Sequence, residues 1–61
     1  MAQITGKELT AISDLLSMEE TLVAKYKQFA CDTTDSNLKN QYEQFAQRHQ
    51  QHYDELYSNL K

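Results

Sequence analysis

A chain of 61 residues with a formal charge of −3 makes one small domain, and domains below about 70–80 residues usually need staples, a metal or oligomerisation to hold a core. The single cysteine, Cys31, excludes an internal disulfide framework, and interspersed acidic and basic residues exclude the basic patch that nucleic-acid binding requires. No apolar run approaches the ~20 residues that cross a bilayer, and Met1–Glu8 carries no apolar signal region, so the expectation is a soluble protein made in the cytoplasm, with neither nucleic acid nor membrane as partner.

The first helix is predicted to begin after Thr5. Thr5 and Glu8 stand in the Thr-x-x-Glu relation of a capping box, in which each side chain satisfies a free amide of the first turn. From Lys7 the chain is rich in Leu, Ala, Glu and Lys, all good helix formers, and the helix should span about 6–31. Asp32-Thr33-Thr34-Asp35-Ser36-Asn37 follows, a run of short polar side chains that compete for backbone hydrogen bonds and favour turns and caps. The turn is placed at about 32–35, with Thr34, Asp35 or Ser36 as the cap of a second helix over about 36–60. The expected domain is a single antiparallel helical hairpin, residues 1–61.

Both helices carry a seam at alternating three- and four-residue steps. It runs through Leu9, Ile12, Leu16, Glu19, Val23, Tyr26 and Ala30, then through Leu38, Tyr42, Phe45, His49, His52, Leu56 and Asn59. A second stripe flanks each seam: Leu15, Leu22 and Phe29 on the first helix, and Ala46, Tyr53 and Leu60 on the second. Faces this wide suit a four-helix bundle better than a two-stranded coil. A hairpin supplies two helices, so the expected assembly is a homodimer about a two-fold axis. Packing is assigned to Leu9, Ile12, Leu16, Val23, Phe29, Phe45 and Leu56.

Glu19, His49 and His52 interrupt the seam. Burying such groups without partners is costly, so they are expected to meet one another. In an antiparallel hairpin Glu19 is level with about His49, and Leu16 with about His52. The two histidines are three residues apart and project from neighbouring points of one helix face. All three lie near mid-helix, where a two-fold axis would gather two carboxylates and four imidazoles into a candidate metal box. The alternative is a satisfied polar cluster, Glu19 pairing with His49 or Tyr26, that fixes the register of the bundle.

Cys31 reads as a small buried residue at the end of the first helix. Glu20, Asp54 and Glu55 read as solvated surface, and the tyrosines and phenylalanines as packing. No nucleophile stands at a spacing that gives it a base, so no enzyme is expected.

Two runs carry a resemblance. Glu19-x6-Tyr26-x2-Phe29-Ala30 resembles the first metal-bearing helix of ferritin-like and rubrerythrin-like proteins, and Phe45-Ala46-x2-His49-x2-His52 resembles the helix that follows it. The resemblance implies a ferritin-like four-helix bundle, with Glu19 as the first-helix carboxylate and His52 as the metal histidine. His49 falls where the family pattern has a bridging glutamate. That substitution implies a site for zinc or iron that is poorer in negative charge than a di-iron centre. Within this group the stretch from Leu9 to Leu60 is similar to small spore coat proteins of the coat F type. That resemblance implies a structural, non-enzymatic component of a spore coat whose partners are a second copy and other coat proteins.

Overall fold

The computed structural model describes residues 4–60; Met1–Gln3 and Lys61, which the single-hairpin reading includes, lie outside the described residues. Two α-helices, α1 (Gly6–Asp32) and α2 (Ser36–Ser58), account for the architecture, with no strand among the described residues. They pack side by side as an antiparallel hairpin with principal extents of 47 × 16 × 11 Å. The expected all-α hairpin is therefore present, its first helix one residue longer than expected and its second two residues shorter.

The helix boundaries follow from local chemistry. The Thr5 side chain accepts a hydrogen bond from the Glu8 amide at 3.1 Å and donates its own hydroxyl to Glu8 Oε1 at 3.0 Å. Glu8 thus reaches back to the Thr5 hydroxyl, whereas the full capping box sends it to the Thr5 amide. At the other end the Thr33 amide closes on the Phe29 carbonyl at 3.0 Å. Thr33 Oγ1 then accepts from the Asp35 amide at 3.1 Å and tightens the three-residue turn. Of the three candidate caps the structure uses Asp35, whose Oδ1 accepts from Asn37 N at 2.8 Å and Leu38 N at 3.1 Å. Near the C-terminus the Ser58 hydroxyl donates to the Glu55 carbonyl, and the Asn59 side-chain amide donates to the same oxygen. These bonds satisfy a last-turn carbonyl from outside the ladder and end the helix before Leu60.

The seam is thin. Among the described residues only Val23, Ala30 and Ala46 are buried. Ile12, Leu16, Leu22, Tyr26, Tyr42, Phe45, Tyr53 and Leu56 are half-buried around them. Near the turn Tyr26 anchors an aromatic cluster, stacked on Tyr42 at 6.3 Å, tilted against Phe45 at 5.3 Å and edge-on to Phe29 at 6.3 Å.

Several expected seam residues lie elsewhere. Leu9, Leu38, His52 and Asn59 are exposed, as is Phe29 of the flanking stripe. For Leu38, His52 and Asn59 the reason is a rotation of α2 about its axis: Ala46, assigned from the sequence to the flanking stripe, is the residue that α2 buries against α1. A small side chain there lets the helices approach closely, and His52 and Leu38 move to the seam's edge. Cys31 is exposed as well, not buried as expected. Ala30 occupies the inward position of that turn, and the next residue points about 100° away.

Asp35 holds two amides of the first turn of α2, so Asp35→Ala is expected to cost about 1 kcal/mol. Chemical denaturation at a fixed protein concentration measures this, and Thr34→Ala, which caps nothing, should leave the midpoint in place.

Candidate metal centre

Glu19 is the central residue of α1, and its position was legible as the polar member of an apolar repeat. The hairpin brings His49 and His52 of α2 to it. Glu19 Oε1 accepts a hydrogen bond from His49 Nδ1 at 2.8 Å, and Glu19 Oε2 lies 3.0 Å from His52 Nδ1. One ligand atom from each of the three residues can be chosen so that all lie within 4.8 Å of one another. The expected meeting of the three groups is thus present within a single chain.

Their exposure is graded. The side chains are 13 % exposed for Glu19, 23 % for His49 and 48 % for His52. Glu19 and His49 sit in the seam, whereas His52 stands at its edge, where the rotation of α2 places it. The Tyr26 ring lies nearly parallel to His49 at 5.6 Å and 12°, while His52 meets His49 edge-on at 5.5 Å and 86°. Tyr26 therefore packs on the imidazole and leaves the carboxylate to it. An ionised carboxylate only accepts, so the Nδ1 of His49 carries the proton of the 2.8 Å bond. When that ring is neutral its Nε2 holds the free lone pair. No buried polar side-chain atom among the described residues lacks a partner, so the cluster is self-satisfied as it stands.

Shallow depressions flank the seam on both sides. On one side a shallow depression is lined by Leu15, Met18, Glu19, His52, Glu55, Leu56 and Asn59. It continues past Met18 into a patch formed with Leu22, Ser17 and Thr21. Leu15, Met18 and Phe29, spaced along this face of α1, are large and exposed. On the opposite side Glu20, Lys27, Glu43, Gln47 and Gln50 surround Val23, Ala46 and Tyr53. The carboxylate–imidazole cluster opens onto the side that carries Leu15 and Met18. Glu55, read from the sequence as solvated surface, is exposed but belongs to the rim of that depression. Its position three residues after His52 on the same helix was the available signal.

The donor set can be compared with what the ferritin-like resemblance implies. A carboxylate-bridged pair of ions needs several carboxylates at one level. Here a single carboxylate has both oxygens engaged by imidazoles, and Glu55 is not among the converging ligand atoms. These residues do not fit a carboxylate-bridged pair. Two imidazoles and one carboxylate do fit a single zinc-class ion, which favours nitrogen donors.

A narrow two-helix hairpin with a polar cluster at mid-height defines a class: small all-helical proteins of the helical-hairpin kind. Within that class the Coat F domain model matches residues 8–59, and the chain belongs to the Coat F domain family. Neither the curated proteins nor the solved structures include a match to the chain. Among the described residues no helix is long and apolar enough to cross a membrane.

A double-mutant cycle on Glu19→Ala and His49→Ala, followed by denaturant unfolding, is expected to return a coupling of about 1 kcal/mol. The same cycle on Glu19 and His52 should return less than about 0.5 kcal/mol, because water screens a half-exposed ring.

Proposed function

We propose that this protein is a small structural component of a spore coat. It acts by protein–protein packing, without catalysis, and its first partner is a second copy of itself. The observation that carries the reading is the row of exposed Leu15, Met18 and Phe29 on α1 of a hairpin that belongs to the Coat F domain family.

Surface area supports the second copy. The chain exposes 4853 Å², whereas a compact protein of its 7.1 kDa mass exposes about 4,100 Å² by the usual scaling. The excess, roughly 770 Å², goes with the elongated 47 × 16 × 11 Å shape and is surface that association could cover. Two hairpins joined through the side bearing Leu15, Met18, Leu22 and Phe29 would form a four-helix bundle of ferritin-like kind, with the glutamine-rich sides outward. Exposed residues of the bundle would then be free to contact other coat proteins, in keeping with a coat location after synthesis in the cytoplasm.

Sedimentation equilibrium tests the bundle. A dimer is expected at micromolar concentration, with Met18→Lys and Leu22→Glu shifting it toward an unfolded or monomeric chain and Gln47→Glu leaving it unchanged. A well-folded monomer at that concentration would remove the bundle reading.

A second reading is favoured by the convergence of Glu19, His49 and His52: the same dimer binds a metal, zinc or iron, through these residues. An ion present at ~100 times its dissociation constant should stabilise the fold by about 2.7 kcal/mol. Melting with and without zinc or iron measures this, and His52→Ala should abolish the shift. Absence of a shift with any metal would leave the packing role alone.

A further inference from the structure

We propose that two copies of the hairpin hold one divalent transition-metal ion between them at the level of Glu19, and that ion binding and dimerisation strengthen one another. This rests on the dimer and metal readings above and goes beyond them in stoichiometry, in the sharing of the site and in its consequence for assembly.

One chain offers three donors, and the third, on the half-exposed His52, faces open space. A structural zinc site closes with four protein ligands, so a single hairpin leaves coordination incomplete. The depression beside Glu19 and His52 is also lined by the exposed Leu15 and Met18, which a second copy seated there would cover. Because Glu19 is the middle residue of α1 (Gly6–Asp32), a two-fold axis crossing the hairpin at mid-height brings the second cluster to the same level. The partner thereby supplies the missing donors, and the site is complete only in the dimer.

Charge sets the number of ions. With neutral imidazoles each cluster carries one negative charge, that of Glu19. Two clusters carry two, which a single divalent ion balances. A pair of ions would leave two uncompensated positive charges in a partly desolvated interior, where like charges repel strongly. Glu55, the other carboxylate on this side, is exposed and outside the convergent group. The hydrogen bond from His49 to Glu19 orients that ring, the role a carboxylate plays behind metal-bound histidine. Linkage then requires that an ion preferring the dimer also tighten the dimer, by the same factor.

The test uses the full-length chain carrying Cys31→Ser, which removes an exposed cysteine sulfur that would compete for metal, titrated with zinc alone. Native mass spectrometry should show one zinc per dimer, and sedimentation should show the dimer dissociation constant falling at least tenfold at saturating zinc. Glu19→Gln, similar in size and still able to accept from His49, and His52→Ala should each lose both effects while keeping their helicity by circular dichroism. Gln50→Ala, on the opposite side of the seam, should keep both. Two zinc ions per dimer, one zinc on a monomer, or zinc binding with unchanged association would overturn the shared ion. A dimer that takes no zinc would overturn the metal reading and leave the bundle intact. A folded monomer with and without zinc would overturn the bundle itself.

Discussion

Two helices lying side by side share one line of contact, and that geometric shortage governs this molecule. A residue in the seam is covered from one direction only, so full burial is reached only where the side chain is small or central. Val23, Ala30 and Ala46 meet that condition, and the larger side chains remain partly wet. Apolar surface left in water forgoes about 25 cal/mol for each Å² that burial would remove. A chain with this much open apolar surface gains by presenting it to another protein. The fold and the proposed role therefore share one cause.

The polar cluster belongs to the same geometry. In a wide core a carboxylate and two imidazoles would be sealed away and strongly penalised. In a thin seam they occupy a gradient from interior to edge, with Glu19 most covered and His52 least. The carboxylate has both oxygens engaged, His49 lies against Tyr26, and one ring reaches the open side. Such a cluster ties α1 to α2 at mid-height by a specific contact, where apolar packing alone would permit sliding. It also concentrates the donors of the chain on the side where a partner would dock.

The Coat F domain family gives these features a setting. A protective layer is made by many chains packing against one another, and a small unit with several exposed large apolar side chains suits that task. Exposed apolar residues such as Leu15, Met18 and Phe29 are a liability in an isolated molecule and an asset in an assembly.

Sequence periodicity alone determined that the chain is two helices, that the turn lies in the run of short polar residues, and that Glu19, His49 and His52 share a level. These follow from local steric preference and from the 3.6-residue repeat, which act residue by residue. The tertiary structure decided the rotation of each helix about its axis. Both stripes of α2 are apolar enough to face α1, and only the close approach permitted at Ala46 selects between them. That choice exposed Leu38 and left His52 at the edge. At the turn Ala30 took the inward position and Cys31 the outward one. Asp35 became the cap because its carboxylate reaches two amides at once, a matter of backbone geometry that three adjacent polar residues leave open.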